Sequence, residues 1–177
     1  LALAGIDSHY QTKVGDNWGR IEDAVRLGVE RSDAVIMCGG LGPTQDDITR
    51  DVIAGLVGSE LVLDETIAER IRTMFKSRGR EMPQNNLRQA MVPEGALPIP
   101  QQPGTAPGLV VPVPTEDGKQ KVIYAVPGVP YEMKEMMLGT VIPDLQRRAG
   151  VTSVIESRVL RTWGQSESGL AELLGQR

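Results

Sequence analysis

The sequence predicts an α/β fold, a three-layer sandwich with helices on both sides of a mainly parallel sheet. Extended apolar runs alternate with helical patterns along most of the chain. The run Asp33-Ala-Val-Ile-Met-Cys38 is continuously apolar, as suits a strand covered on both faces. Glycines follow it at once and lead into a helical pattern, the strand–turn–helix order that presents backbone N–H groups to phosphates.

Leu1 to Gly5 reads as the last turn of a helix closed by a glycine, and Ile6 to Val14 as a short, mostly polar strand. Gly15-Asp-Asn17 offers an N-cap to a helix from Trp18 to Glu30, with Trp18, Ile21, Val25 and Val29 on one face. After the Asp33–Cys38 strand, Thr44-Gln-Asp-Asp47 matches a capping box that opens a helix burying Ile48, Val52 and Leu56. Leu61 to Leu63 is short and extended. Asp64 caps a helix that carries Ile67, Ile71, Met74 and Phe75 and stops near Gly79. Gln84 to Met91 suggests a short helix, and Pro93 to Pro107 a loop. Leu109–Val113 and Lys121–Val126 form a hairpin around Asp117-Gly118, with Pro112 and Pro114 placing its first strand toward a sheet edge. Pro130 opens a helix burying Met133, Met136 and Met137, and a separate helix spans Ile142 to Ala149. Beyond Gly150 the character changes. A strand over 154–160 and an amphipathic helix from Ser166 suggest the start of a small α+β domain. The expected division is therefore 1–150 and 151–177.

The 177 residues suffice for one full core and a small appendage. One Phe, two Trp and three Tyr leave the core to aliphatic side chains. A net charge of −4 gives no basic footprint for nucleic acid. Cys38 is the sole cysteine, which excludes an intrachain disulfide and fits a reducing, cytoplasmic setting. No stretch is long and apolar enough to span a membrane, and no signal peptide is visible. The first residue is not Met, and both ends are abrupt, so further sequence is expected on either side.

Chemistry concentrates in Gly39-Gly-Leu-Gly-Pro-Thr-Gln-Asp-Asp-Ile-Thr-Arg50. It is no Walker A motif, lacking Gly-Lys-Ser/Thr, and no dinucleotide fingerprint, because Gln45 stands where the third glycine belongs. Glycines there let backbone N–H groups approach an anion. Two readings stand for Asp46 and Asp47. They cap and stabilise a helix N-terminus, or they serve chemistry, holding a hard cation against phosphate oxygens or orienting a nucleophile. Gly104-Thr-Ala-Pro-Gly108 and Pro127-Gly-Val-Pro130 read alone as turns, yet three such loops can converge at one sheet edge. Asn85 and Arg88 form a polar, cationic stretch that otherwise reads as an exposed short helix. Glu132 falls in a first helical turn. Cys38 reads as inert core and His9 as surface.

These segments resemble the competence/damage-inducible protein CinA family, in its N-terminal molybdopterin-binding-like domain. The Gly39–Arg50 segment resembles the family signature. Thr12-x-Val-Gly-Asp16, Met82-Pro-Gln-Asn-Asn86-x-x-Gln-Ala90, Pro93-Glu-Gly-Ala96, Gly104–Gly108 and Pro127-Gly-Val-Pro-x-Glu-Met133 agree in order and spacing. The resemblance covers nearly all of residues 1–150. Residues 151–177 are similar to the start of the family's KH-like middle domain. The resemblance implies a molybdopterin-binding-like fold that usually forms homo-oligomers, and metal-dependent hydrolysis of ADP-ribose at its pyrophosphate. The alternative it implies is pterin binding or adenylylation of the molybdenum-cofactor type. It places the shared glycine loop on Gly39, Gly40 and Gly42 and the superfamily aspartate on Asp47. Asp46 marks the CinA-type pattern and favours the hydrolase. The expected site is then Asp46 and Asp47 as metal and catalytic residues, with a divalent ion (Mg, Mn or Co). Gly39, Gly40, Gly42, Thr44, Asn85, Arg88, Thr105, Gly128 and Glu132 would surround the nucleotide or pterin. The family domain opens with a strand and helix that precede Leu1 here, so part of its site is expected to lie outside this sequence. The amidase domain of longer family members is not represented, and its activity is not assigned.

Overall fold

A computed structural model describes residues 1–115, 118, 120–150, 159 and 161–175. The elements run α1 (Trp18–Arg31), β1 (Ala34–Cys38), α2 (Thr49–Val57), β2 (Leu61–Leu63), α3 (Glu65–Ser77), β3 (Met91–Pro93), β4 (Leu97–Pro98), β5 (Leu109–Pro114), β6 (Gln120–Val126), α4 (Pro130–Met136), α5 (Ile142–Ala149) and α6 (Glu167–Leu174). A 3-10 turn spans Gln84–Ala90.

The principal sheet has the order β1-β6-β5-β4, and β2 pairs with β3 in a small second sheet. β1 runs parallel to β6, with Cys38 opposite Val126. β5 and β4 continue the sheet in antiparallel fashion. The α/β class is as expected, and among the described strands the sheet is mixed, with one parallel pairing.

Strand alternation divides the core in two. Leu109, Val111 and Val113 of β5 and Ile123 and Ala125 of β6 face Ile21, Val25, Val52, Ile53, Ile67 and Ile71 from α1, α2 and α3. Val110 of β5 and Val122, Tyr124 and Val126 of β6 face Met136 of α4, Leu145 of α5 and Val141 between them. Helices therefore cover both sheet faces, which is the three-layer arrangement. Apart from Tyr124, the fully buried strand residues are aliphatic, as the scarcity of aromatics requires.

Local signals explain most boundaries. Asn17 accepts from the Arg20 amide and caps α1. Asp64 accepts from the Thr66 and Ile67 amides and caps α3. Ser166 caps α6 through the Gly169 amide. Pro112 and Pro114 lie on β5 beyond its pairing with β4, where the absent N–H groups cost no ladder bond.

Several expectations are corrected. Ile6–Val14 forms no strand; its side chains are mostly polar and exposed, and no neighbour among the described residues offers a ladder. Its Tyr10 ring instead lies 3.7 Å beneath the Arg31 guanidinium. The Thr44–Asp47 pair forms its hydrogen bonds within a turn, and α2 begins only at Thr49. The 93–107 stretch contributes the end of β3 and all of β4. The two expected helices after Pro130 join through a π turn at Met137–Val141. Pro143 has no N–H to return to the preceding turn, and the widened turn accommodates that loss. Cys38 is exposed, β1 being at an edge of the sheet among the described strands, and its thiol donates to the Pro127 carbonyl at 3.5 Å. The tip of the β5–β6 hairpin at Asp117 and the strand expected over 154–160, Val159 excepted, lie outside the described residues. No helix among the described residues is long and apolar enough to cross a membrane.

One polar contact closes the second layer. The buried Tyr124 hydroxyl donates to Asp144 at 2.6 Å, and Arg148 Nε reaches the same carboxylate at 2.9 Å. Burial pushes the Asp144 carboxyl upward, but Tyr124, Arg148 and Arg147 outweigh it and hold the group below the usual carboxylate range. The folded state therefore favours the carboxylate, a stabilisation present above the ordinary carboxylate pKa and lost as pH falls through the lower folded value. Asp144→Asn is expected to destabilise the fold by about 2 kcal/mol at pH 7. In urea unfolding the gap to wild type should narrow progressively on acidification below pH of about 4.

Candidate functional site

The parallel β1–β6 pair ends both strands at one edge, where the Gly39 amide donates to the Val126 carbonyl at 2.9 Å. The loop after β1 and the turn after β6 therefore leave side by side. β5 is antiparallel to β6, with Leu109 opposite Ala125, so the loop entering β5 arrives at the same edge. Between the three lies a cleft of about 380 Å³ lined by Gly39, Gly40, Leu41, Gly42, Pro43, Asp47, Gln89, Thr105, Ala106, Pro127, Gly128, Val129 and Glu132.

The loop after β1 is held from behind by the start of α2. The Thr49 hydroxyl donates to the Gly39 carbonyl at 2.9 Å, and the Thr49 amide to the Gly40 carbonyl at 3.2 Å. Arg50 is 1% exposed and donates through Nη1 to the Leu41 carbonyl at 2.7 Å and through Nη2 to the Gly42 carbonyl at 2.8 Å. Burial lowers the Arg50 pKa to about 10, which leaves the guanidinium charged at neutral pH. Gly40 has φ +68°, and a Cβ there would lie 2.2 Å from Thr49 Oγ1, so this position excludes a side chain twice over.

Two carboxylates face the cleft. Asp47 Oδ2 accepts from the Thr44 amide at 2.9 Å and the Thr44 hydroxyl at 2.5 Å. Burial raises the Asp47 pKa, but the Thr44 bonds, the Gly42 amide and the Arg50 charge overcome it, and the net shift is downward. Glu132, in the first turn of α4, is 8% exposed and accepts from the Tyr131 hydroxyl at 3.1 Å.

The structure thus brings together Gly39, Gly40, Gly42, Asp47, Thr105, Gly128 and Glu132 of the residues singled out in the sequence. The other four stand outside the lining. Thr44 is engaged with Asp47. Asp46 is exposed in the adjoining turn. Arg88 braces the loop from outside, donating to the Thr44 carbonyl at 2.8 Å and pairing with Asp51 at 3.2 Å. Asn85 is exposed, whereas its neighbour Asn86 is buried and donates to Gln89 Oε1 at 2.8 Å.

Two polar residues at the site, Arg50 and Gln89, stand within the motifs that carry the resemblance but receive no site role from the sequence. Gln89 is 2% exposed, lines the cleft and donates weakly to the Leu41 carbonyl at 3.4 Å. Its available signal is a polar residue directly before the apolar pair Ala90-Met91. For Arg50 the signal is its place at the end of the glycine-rich segment.

A sheet-edge cleft with a glycine loop, a helix start behind it and two acids at its sides is that of a small-molecule-binding α/β domain. A family model described as "Probable molybdopterin binding domain" matches residues 1–147, and the chain belongs to that family. Within it the chain groups with the CinA-like proteins. It is 46% identical over 179 residues to a CinA-like protein of Frankia casuarinae, covering 98% of this chain and 40% of the relative. It is 42% identical over 172 residues to a CinA-like protein of Nostoc sp., covering 97% and 40% respectively. The crystal structure of CinA from Thermoplasma acidophilum, a protein described as of unknown function, superposes with a TM-score of 0.60 at 33% identity over 71% of each chain. The chain spans about two fifths of the length of the two curated relatives.

The glycines around the cleft differ in what surrounds them. A Cβ on Gly108 would meet Met136 Sδ at 2.6 Å, Ile99 Cδ1 at 2.9 Å and the Ala125 carbonyl at 3.1 Å, all within the packed core. Gly108→Ala is therefore expected to cost about 2 kcal/mol in urea unfolding. For a Cβ on Gly104 the three nearest atoms all belong to the Glu132 carboxylate, the far end of a flexible side chain. Gly104→Ala is expected to stay within about 1 kcal/mol of wild type and to turn Glu132 off the cleft wall in a crystal structure of the variant.

Proposed function

We propose that this domain hydrolyses ADP-ribose at its pyrophosphate with the help of a divalent cation. The observation that carries the proposal is the meeting of a backbone anion cradle with two carboxylates, Asp47 and Glu132, in one cleft. A diphosphate seated on the glycine loop brings more negative charge beside both acids, a repulsion that a bound cation relieves. Among the described residues no cluster of three or more His, Cys, Asp or Glu side chains forms a ready-made metal site. The donor set fits an ion such as magnesium, which takes one or two carboxylates and completes its shell with phosphate oxygens and water. Asp47 would hold the ion, with Asp46 reachable from the adjacent exposed turn. Bound there, the cation would neutralise charge on the phosphates.

The chain's own groups supply the rest. Gly39, Gly40 and Gly42 shape the loop, which receives the diphosphate through the Gly40 and Leu41 N–H groups. Glu132 accepts hydrogen bonds from hydroxyl or amine donors of the ligand. Asp47, held as carboxylate by Thr44, orients the water that attacks phosphorus as the bridging P–O bond breaks. The products are AMP and ribose 5-phosphate. Thr105 and Gly128 close the remaining walls, with Asn85 and Arg88 meeting only an extended ligand at the rim.

A second proposal follows from the family description: the cleft binds a pterin or its nucleotide and does not hydrolyse it. With magnesium, manganese or cobalt present, wild type is expected to turn over ADP-ribose, chelator to abolish this, and Asp47→Ala to lower kcat/KM by about 100-fold or more. Equal metal-dependent turnover by both proteins removes Asp47 from the mechanism. Absence of turnover together with calorimetric binding of a molybdopterin precursor selects the second proposal.

A further inference from the structure

We infer that Thr49 and Arg50 act as a clamp that orients the glycine loop as an anion receptor, with Arg50 as its principal positioning residue. Four consecutive carbonyls, those of Gly39, Gly40, Leu41 and Gly42, are each met by a donor from these two residues. No cis peptide occurs here, so each carbonyl turned toward α2 turns the following N–H the opposite way. The Gly40 and Leu41 amides thereby face the cleft side of the loop. The Gly42 amide reaches the Asp47 carboxylate and settles that acid beside them. Removal of the clamp frees the carbonyls to rotate toward the cleft, where their partial negative charge repels a phosphate.

Arg50 suits this task in two ways. Its planar fork spans two adjacent carbonyls at 2.7 and 2.8 Å, a geometry that a lysine ammonium cannot reproduce. Its charge is buried directly behind the loop and acts on the Asp47 carboxylate at the cleft, with Asp51 also close enough to interact. Arg88, by contrast, is spent on Asp51 and the outer turn.

The inference rests on the cradle receiving a phosphate, and the test separates the two. Inorganic pyrophosphate with magnesium is titrated into 15N-labelled protein, with calorimetry in parallel. In wild type the Gly40 and Leu41 amide resonances are expected to shift. Arg50→Lys, which keeps the charge and loses the fork, is expected to bind pyrophosphate about tenfold more weakly. Thr49→Val removes one donor isosterically and should weaken binding by roughly threefold, with Thr49→Ser restoring it. All variants are compared at matched folded fraction, confirmed by the remaining amide spectrum. Wild type that binds no pyrophosphate, or binds it without shifting the Gly40 and Leu41 amides, overturns the cradle itself. Wild type that binds through those amides, with Arg50→Lys and Thr49→Val unchanged in affinity, leaves the cradle standing and overturns the clamp.

Discussion

The parallel pairing of β1 with β6 is the constraint on which the site depends. Cys38 and Val126 are paired and end their strands together, so the two loops that follow begin a strand spacing apart. The Gly39-to-Val126 hydrogen bond extends the ladder one step into the loop and sets where the chain is released. A slip of one residue in this register would exchange the two faces of β1. It would also carry the glycine loop away from Gly128 and uncouple it from Glu132. The core enforces the register, because Val122, Tyr124 and Val126 belong to one layer and Ile123 and Ala125 to the other. Aliphatic packing on both faces thus determines the position of a polar site that contributes little to the packing.

Within that frame, the electrostatics of the cleft are opposed by design of the loop. Backbone donors and the buried Arg50 favour an anion, while Asp47 and Glu132 disfavour one. Asp47 is held ionised by its own local bonds, so it stays acidic without a ligand. A site that only gripped phosphate would do better without these acids. Their presence therefore favours chemistry or cation binding over simple anion storage, which is why the hydrolase is placed ahead of passive pterin binding.

Much of the fold was legible because its signals are local. Asn17, Asp64 and Ser166 cap the helices for which their short oxygens suit them, and the unbroken apolar run 34–38 is a strand in the sheet. What failed depended on partners distant in sequence. Ile6–Val14 has extended character but no strand beside it. Cys38 reads as core within its run and is exposed, β1 lying at an edge among the described strands. The Thr44–Asp47 pair reads as a capping unit, but its pattern does not say whether a helix starts at once or a turn later. The site shows the same division. Residues in the three glycine-rich loops were legible because glycine and proline mark turns. The site roles of Gln89 and Arg50 were not, since a buried polar side chain satisfied by distant carbonyls leaves no periodic trace.

The glycines at the cleft act less as hinges than as vacancies. Only Gly39 and Gly40 among the loop's glycines have positive φ; Gly42 and Gly104 adopt conformations open to any residue. What those two provide is the missing Cβ. At Gly42 it would stand 2.4 Å from Asp47 Oδ2, at Gly104 2.2 Å from Glu132 Oε1, and at Gly40 2.2 Å from Thr49 Oγ1. Asp47, Glu132 and Thr49 are thus each matched to a glycine whose empty position they approach. This pairing explains why glycine appears where no turn demands it, and why alanine, the smallest possible change, would displace a cleft-lining oxygen before it disturbed the fold. It also explains how acids and backbone donors fit together in so small a cleft: the backbone gives up side-chain volume at the points where the carboxylates need it.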